Sequence, residues 1–257
     1  MGPLRKIANS ILATAFVASG TACAEEAPVP TDGAPGDNVY ETRAATRDGI
    51  GKYYMGREIS HVMGHLGAGW LERPSREREE RTDLLLDNLP LEPGSVAADI
   101  GAGTGYFSLP MAERVGPTGR VLAVDIQPEM LAIIADRVEA ANLDNVDTIL
   151  ATETDPRLPP NSVDMALLVD AYHEFSYPRE VMAGVVAGLK PGGRVVLIEY
   201  RAEDPRVPIK RLHKMSAEQV IAEMAAVGLT WETTLDFLPQ QHFLVFRKPE
   251  TQATAGR

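Results

Sequence analysis

Residues 96–105 read VAADIGAGTG, an apolar run that ends in glycines at alternate positions, Gly101, Gly103 and Gly105. The run has the composition of a short buried strand, and glycines at this spacing allow a tight turn whose backbone approaches a ligand closely. The spacing differs from the G-x-G-x-x-G of dinucleotide sites, and Asp99 stands two residues before the first glycine. A carboxylate there repels a pyrophosphate and favours a cation. The stretch therefore predicts a strand and a turn that hold a positively charged ligand.

A second acidic residue ends the next predicted strand. The stretch VLAVD, residues 121–125, precedes a helix that begins at Pro128. Ligands of open α/β sheets bind outside the carboxyl ends of the strands, so Asp125 is placed to accept hydrogen bonds from two ribose hydroxyls. Glycine-rich turns are common, so the turn, Asp99 and Asp125 are each weak evidence for a ligand site when taken alone. Their occurrence together in this order is strong evidence for one.

Strand and helix patterns alternate from residue 95 to residue 248. Helical patterns follow the first, second, fourth and fifth strands, and the last two strands suit an antiparallel hairpin at the sheet edge. This order predicts an α/β fold, a Rossmann-like seven-stranded mostly parallel sheet with helices on both faces. The predicted strands are residues 95–100, 120–126, 146–152, 162–170, 194–200, 229–238 and 242–248, and the helices are 106–115, 128–142, 178–189 and 216–228, the last capped by Ser216.

Residues 49–90 have a helical pattern and predict an N-terminal helical lid. Apolar residues between Ile59 and Leu66 follow one another at spacings of three and four. Ser75 is expected to cap the last helix of the lid. The charged run REREER, residues 76–81, is interpreted as a solvated helix face.

Residues 1–24 predict a secretory signal peptide. Arg5 and Lys6 precede an apolar stretch, residues 11–17, and a small-residue cleavage site follows at residues 22–24. Cys23, the only cysteine, resembles the lipidated residue of bacterial lipoprotein signals. Export is therefore expected, to the periplasm or to a membrane tether through lipidated Cys23, with a cytoplasmic location as the alternative.

The segments outside the α/β domain indicate which class of partner the protein binds. Residues 25–48 are rich in proline, glycine, alanine and acidic residues and predict a disordered linker, and residues 249–257 predict a loose tail. The net charge of −11 argues against nucleic acid as a partner. A compact lid of residues 49–90 without a basic groove favours a small-molecule partner.

From about residue 91 to residue 248 the chain resembles the class I S-adenosylmethionine-dependent methyltransferases. The resemblance rests on VAADIGAGTGYFS, VLAVDIQPEM, LPPNSVDMALLVDAYHEF and LKPGGRVVLIEY. It implies S-adenosyl-L-methionine as the cofactor, whose sulfonium and ammonium groups agree with the expected cation. The implied contacts are the methionine moiety among Asp99, Gly101, Ala102, Gly103 and Gly105, the ribose on Asp125 and the adenine against Ile126.

One departure from the family pattern concerns the adenine. Many relatives carry Gly-Asp after the third strand, where this chain has Ala151-Thr152-Glu153. Thr152 or Glu153 is then expected to make the contact with the adenine. Asp170, which ends the fourth strand, is expected to contact the amino end of the cofactor.

The acceptor site is expected at the other strand ends and in the lid. His173 is the best candidate for a general base because imidazole titrates near neutrality, and Tyr172 is the second catalytic candidate. The alternative for His173 is a helix N-terminal residue bonded to Glu174 or to backbone. The expected acceptor-binding residues are Tyr53, Tyr54, His61, His65, Trp70, Glu199, Tyr200 and His213.

His61 and His65 are candidate ligands for a metal ion. His61 and His65 are four residues apart and share a helix face if the lid is helical there. No local carboxylate or cysteine completes a ligand set, so no metal site is expected. For Tyr53, Tyr54 and Trp70 the alternative is packing within the lid.

The function predicted from these features is methyl transfer to a small-molecule acceptor of the thiol, sulfide, phenol or quinone type by in-line displacement. Holding nucleophile and methyl group in line supplies much of the acceleration, and a base is needed only for a protonated nucleophile. The alternative is a non-catalytic S-adenosylmethionine-binding protein of the cell envelope, which the predicted signal peptide motivates. The oligomeric state is left open.

Overall fold

The computed structural model describes residues 39–250 of the chain. The expected signal peptide with Cys23, most of the expected linker, and residues 251–257 lie outside the described residues. Within residues 39–250, no helix combines the length and the apolar composition needed to cross a membrane.

A small antiparallel sheet comes first in the described chain. Its strands are β1 Tyr40–Thr42, β2 Gly49–Tyr54 and β3 Arg57–Ser60, in that spatial order. The prediction of a linker up to residue 48 and of a helix from residue 49 is therefore wrong for these segments. The reason is a two-residue turn, in which Met55 and Gly56 have φ values of 47° and 86°. Left-handed conformations at both positions match the twist of a tight hairpin.

Short helices then lead into the main sheet. They are a 3₁₀ helix His65–Gly67, α1 Ala68–Leu71, α2 Arg76–Glu80 and α3 Thr82–Asp87. The single helix expected after Ser75 is divided at Arg81, whose φ of 55° is left-handed, and the Ser75 side chain makes no capping hydrogen bond. His61 lies outside any helix, so it shares no helix face with His65.

The charged run of residues 76–81 is a solvated face only in part, because two of its six residues are buried. Arg76 and Glu80 are 4% and 2% exposed, and Nε of Arg76 lies 3.0 Å from Oε2 of Glu80. Arg73 also pairs with Glu80. The hydroxyl of Tyr200 donates to Oε1 of the same carboxylate over 2.8 Å. Because Glu80 is paired and hydrogen-bonded by several donors, its burial is compensated.

Seven strands form the central sheet of the described residues, in the spatial order β6-β5-β4-β7-β8-β10-β9. All neighbours are parallel except β10, which runs antiparallel to β8 and β9. The predicted fold and the predicted edge hairpin are confirmed. The strands are β4 Val96–Ile100, β5 Arg120–Asp125, β6 Val146–Leu150, β7 Val163–Val169, β8 Leu189–Tyr200, β9 Thr230–Leu235 and β10 Gln241–Arg247.

Helices cover both faces of this sheet. They are α4 Ser108–Val115, α5 Pro128–Ala140, α6 Pro178–Gly188 and α7 Ala217–Ala225. Successive residues of β8 point to opposite faces, so Val195 packs in one apolar cluster with α6 and α7 while Val196 packs in the other with α4. Ser216 accepts a hydrogen bond from the amide of Gln219 over 3.2 Å, which confirms the predicted cap of α7.

Strand order reverses at β4. From β4 the chain adds β5 and β6 on one side and β7 and β8 on the other. The loops after β4 and β7 therefore leave the carboxyl edge in opposite directions and leave a crevice between them.

Candidate active site

A cavity of about 560 Å³ lies at this carboxyl edge. Its sheet side is formed by the ends of β4, β5, β6, β7 and β8 with the residues that follow them, and the N-terminal helices and residues 208–213 form the opposite side. Predicted residues that line it are Gly101, Gly103, Asp125, Ile126, Thr152, Glu153, Asp170, His173, Trp70, Tyr200 and His213.

The glycine turn needs its glycines for two reasons. Gly101, Gly103 and Gly105 have φ values of 75°, 55° and 77°, which residues other than glycine rarely adopt. A Cβ at Gly101 would lie 2.7 Å from Cβ of Ala171, so the turn also allows a close approach to the loop after β7. Gly105 does not line the cavity, because it packs against α5.

Ala102 is also part of that packing. It is buried beside Ile134 of α5 and does not line the cavity. The side chain of Ala102 therefore does not reach the cavity, contrary to the expected contact with the cofactor.

The two carboxylates near the turn differ in their surroundings. Asp125 lines the cavity, and its oxygens accept from the amides of Gly103, over 2.9 Å, and Gln127, over 2.8 Å. Asp99 does not line the cavity and accepts from the hydroxyl of Ser108 over 2.6 Å. Burial raises the pKa of Asp99 to about 6, with the charge of Asp125 adding to the effect of burial. Asp99 therefore acts on a ligand through its charge.

The loop after β6 contributes Thr152 and Glu153 to the cavity wall. The hydroxyl of Thr152 accepts from the amide of Asp155 over 3.0 Å, so it closes a local turn. Ile126 is 41% exposed and offers an apolar surface opposite this loop.

Asp170 provides the test of whether a cation fits the cavity. It has a left-handed φ of 50° directly after β7, and one oxygen accepts from Nε2 of Gln241 over 2.7 Å. The other oxygen is buried and has no hydrogen-bond partner among residues 39–250. Burial and the nearby charges of Glu80 and Glu199 raise the pKa of Asp170 well above its usual range. An ammonium group in the cavity supplies the missing donor, so the site fits S-adenosylmethionine.

The Asp170 contact includes a residue that sequence reasoning missed. Gln241 opens β10, opposite Tyr200 of β8. Its distance of 71 residues from Asp170 leaves no local signal. Only the insertion of β10 beside β8 brings the two side chains together.

His173 also lines the cavity and belongs to a buried hydrogen-bonded chain. Its Nδ1 lies 2.6 Å from Oε2 of Glu199, and its Nε2 lies 3.1 Å from Nδ1 of His213. The amide of His173 donates to Oε1 of Glu199 over 3.1 Å. Burial lowers the pKa of His173, but the charge and hydrogen bond of Glu199 outweigh it, and the net shift is upward. Glu199 thus acts on the cavity through His173.

Tyr172 does not line the cavity, contrary to the catalytic role expected for it. It is 1% exposed, and its hydroxyl donates to Oε2 of Glu223 over 2.7 Å. Arg57 pairs with the same carboxylate over 2.9 Å. Tyr172 and His173 are consecutive in the 3₁₀ helix Tyr172–Glu174 and point in different directions, so only His173 reaches the cavity.

Five of the eight expected acceptor-binding residues lie away from the cavity, namely Glu199 and the four residues described next. Tyr54 is buried against the ring of Tyr40, with 5.4 Å between the ring centroids. Tyr53 lies under the guanidinium of Arg43. His61 is exposed, and His65 lies 3.8 Å from Glu129. The hairpin β2–β3 replaces the expected helix, and this changes which way all four side chains point.

Residues 97–193 match a protein family described as a methyltransferase domain. This stretch begins in β4 and ends in β8, so it contains the glycine turn, Asp125, Asp170 and His173. This part of the chain is therefore similar to a methyltransferase domain. The cofactor of such domains is S-adenosylmethionine, as predicted.

Curated relatives match part of the chain. It is 30% identical over 111 residues to the ubiquinone/menaquinone biosynthesis C-methyltransferase UbiE of Ectopseudomonas mendocina, covering 43% of each chain. It is 29% identical over 118 residues to the demethylmenaquinone methyltransferase of Listeria welshimeri, covering 46% of this chain and 49% of that one. The match spans less than half the length of each relative.

Solved structures share the fold of the methyltransferase domain. A SAM-dependent methyltransferase from Aquifex aeolicus matches with a TM-score of 0.69 and 22% identity, covering 73% of this chain and 100% of that one. The [4+2]-cyclase SpnF matches with a TM-score of 0.58 and 20% identity, covering 66% and 81%. At these identities the likeness shows the fold alone. A cyclase among the matches means that the reaction must be argued from the site.

Proposed function

We propose that the protein is an S-adenosylmethionine-dependent methyltransferase that acts on an apolar small molecule through a thiol or phenol-type hydroxyl group. One observation carries the proposal. A single cavity joins a partnerless buried carboxylate oxygen of Asp170 to the hydrogen-bonded chain of Glu199, His173 and His213. The unpaired oxygen of Asp170 suits a cationic cofactor, and the hydrogen-bonded chain suits a nucleophile that must lose a proton.

The cofactor end is built from the ends of β4, β5 and β7. Asp170 would hold the ammonium group, Asp125 would accept from the ribose hydroxyls, and Ile126 would lie against the adenine. Each oxygen of Asp125 accepts one amide hydrogen and retains a second acceptor position for a ribose hydroxyl. Bound S-adenosylmethionine supplies an activated methyl group for in-line displacement.

The acceptor end combines apolar walls with one basic nitrogen. Its apolar residues come mainly from the N-terminal helices and from the segments after β7 and β8, which favours an aromatic or other apolar acceptor. The names of the relatives refer to quinones, which agrees with an apolar acceptor, although the UbiE relative is named a C-methyltransferase and its name does not support transfer to a thiol or hydroxyl group. The apolar wall residues are Val62, Met63, Trp70, Leu71, Phe175, Pro208 and Ile209.

His173 is the residue that receives the acceptor's proton. Glu199 accepts from Nδ1 of His173, which leaves the lone pair of the neutral ring on Nε2. Glu199 is 0% exposed, so it remains in place to stabilise the imidazolium that forms. This is the relation between a base and the carboxylate that orients it in many enzymes.

Binding and turnover can be tested separately. Calorimetric titration with S-adenosylmethionine and S-adenosylhomocysteine should show one site for each. Mass spectrometry should then detect a methylated product from a panel of thiols, phenols and quinols. Binding without turnover on the whole panel would support the non-catalytic alternative instead.

A further inference from the structure

We propose that His173, Glu174 and His213 bind a divalent transition-metal ion of the zinc type at the acceptor end of the cavity. These residues, called here the His–Glu–His cluster, all line the cavity. No sequence pattern predicted a metal at this place. His173 and Glu174 follow β7, whereas His213 belongs to the 3₁₀ helix Arg211–His213, 40 residues further along the chain.

The distances within the cluster match one central ion. Nε2 of His173 lies 3.1 Å from Nδ1 of His213, and Oε1 of Glu174 lies 3.8 Å and 3.4 Å from these two nitrogens. A circle through the three atoms has a radius of about 2.0 Å, which is the ordinary bond length from Zn²⁺ to imidazole nitrogen or carboxylate oxygen. One ion can therefore reach all three atoms at about this bond length.

Hydrogen bonds outside the cluster orient two of the ligands. Nδ1 of His173 is bonded to the buried carboxylate of Glu199, the partner that metal-bound imidazoles usually have. Oε2 of Glu174 accepts from the amide of Met63 over 3.0 Å, and its other oxygen faces the two imidazoles. These contacts hold the side chains of His173 and Glu174 in place beside His213.

The ligand types select the class of metal and the kind of site. Two imidazole nitrogens favour zinc and similar transition metals over Mg²⁺ and Ca²⁺, which prefer oxygen ligands. Three protein ligands also leave a coordination position open, as in catalytic rather than structural zinc sites. The cavity gives that position access to a small molecule.

The consequence for the acceptor rests on the proposed function. A thiol or hydroxyl bound at the open position would lose its proton to water, because the ion lowers its pKa. Its sulfur or oxygen would then form the bond to the methyl group as the bond between the methyl group and the sulfonium sulfur breaks, releasing S-adenosylhomocysteine. With the metal bound, His173 holds the ion and does not take the proton, since Nε2 has one lone pair.

Zinc binding can be measured without cofactor or acceptor. Full-length protein carrying Cys23→Ser, freed of metal with a chelator, is titrated with ZnCl₂ by calorimetry. One site per chain is expected. His213→Ala and Glu174→Gln should reduce the affinity by more than 100-fold. Glu199→Gln should reduce it by about 10–100-fold, the range for partners of metal ligands.

His65→Ala is the matched control. His65 also lies near a carboxylate, 3.8 Å from Glu129, but outside the cavity, so this variant should retain the wild-type zinc affinity. Circular dichroism should show that each variant is folded, and X-ray absorption should show two imidazoles bound to the zinc. Equal zinc affinity in the wild type, His213→Ala and Glu174→Gln would overturn the metal site.

The outcomes separate the two proposals. Specific zinc binding with no methylation of any acceptor would refute the proposed function and support the metal site. Turnover by the chelator-treated enzyme, together with unchanged zinc affinity in His213→Ala, would refute the metal site and leave the proposed function standing.

Discussion

Oε2 of Glu199 lies 2.6 Å from Nδ1 of His173, so a buried carboxylate near the end of β8 orients the imidazole that follows β7. The two residues are 26 positions apart and meet because β7 and β8 are parallel neighbours. Glu199 holds the proton on Nδ1 and directs Nε2 to the cavity. An acid that does not touch the acceptor thus determines what His173 can do.

Glu199→Gln should therefore lower kcat much more than it lowers the affinity for the cofactor. The glutamine amide can donate to Nδ1, which would place the ring proton on Nε2 and remove the lone pair from the cavity. We expect kcat to fall by about 10²–10⁴-fold, measured with an acceptor of high pKa. Affinity for S-adenosylmethionine should change far less than kcat by calorimetry, because Asp125 and the glycine turn lie on other strands and the charge of Glu199 acts on the cofactor end only through Asp170.

His173→Ala is the companion variant. For a high-pKa acceptor its kcat should also fall by about 10²–10⁴-fold. If His173 acts by removing the proton, the loss should shrink for thiols that are already ionised at the assay pH. An equal loss of kcat for ionised and protonated acceptors would show that His173 positions the acceptor and does not remove its proton. A kcat equal to that of the wild type would show that His173 takes no part in the reaction.

Asp125→Ala should weaken cofactor binding by about 1–3 kcal/mol, the scale for hydrogen bonds to a charged group. Asp125 also accepts from the amides of Gly103 and Gln127, so the variant loosens the glycine turn as well as the ribose contact. Asp125→Asn is the control that keeps the size of the side chain. Unchanged affinity in the alanine variant, measured by calorimetry, would refute the ribose site.

Asp99→Asn should stabilise the cofactor-free protein near pH 7.5. The pKa of Asp99 is raised from 3.8 to about 6, so the folded state binds its proton more tightly than the unfolded state does. Stability from this group is present below pH 4 and is lost as the pH rises through 6. Asparagine carries no charge to desolvate, so we expect the variant to gain about 2–3 kcal/mol at pH 7.5 and almost nothing at pH 3.5.

Urea unfolding of both proteins at the two pH values measures that difference. The same variant should bind S-adenosylmethionine more weakly, because the cavity loses a nearby negative charge. A wild-type protein that is more stable than Asp99→Asn at pH 7.5 would contradict the destabilising role assigned to this carboxylate.

The N-terminal segment is expected to direct export, and the mature protein is expected to begin at Cys23 or Glu25. Mass spectrometry of the protein from its native host measures the mature terminus. A diacylglyceryl group on Cys23 would establish the membrane tether, and an unmodified Ala22-Cys23-Ala24 segment in cytosolic protein would contradict export.

Local sequence was sufficient for the sheet and for the cofactor end of the cavity. Apolar runs of strand length predicted the inner strands of the sheet, because strands buried on both faces need continuous apolar residues. The glycines at 101, 103 and 105 predicted a left-handed turn, because other residues rarely adopt that conformation. Asp125 followed from its place at the end of a strand.

Local patterns were less reliable in the N-terminal region. The hairpin turn at Met55 and Gly56 interrupts what was read as a helix, and Arg81 divides what was read as one helix into two. Both changes depend on residues in left-handed conformation. Methionine and arginine, at positions 55 and 81, are not residue types from which this conformation is expected. Burial of Arg76 beside Glu80 likewise depends on partners, Tyr200 among them, that are far away in sequence.

What the sequence by itself determined is the fold and the position of the glycine turn, since the first follows from periodicity and the second from the conformational freedom of glycine. The tertiary structure alone decided that Gln241 meets Asp170, that Tyr172 points away from the cavity, and that His173 joins Glu199 and His213. These contacts depend on which strands are neighbours and where the loops return. Sheet order and loop paths are set by the packing of the whole domain, which no local pattern encodes.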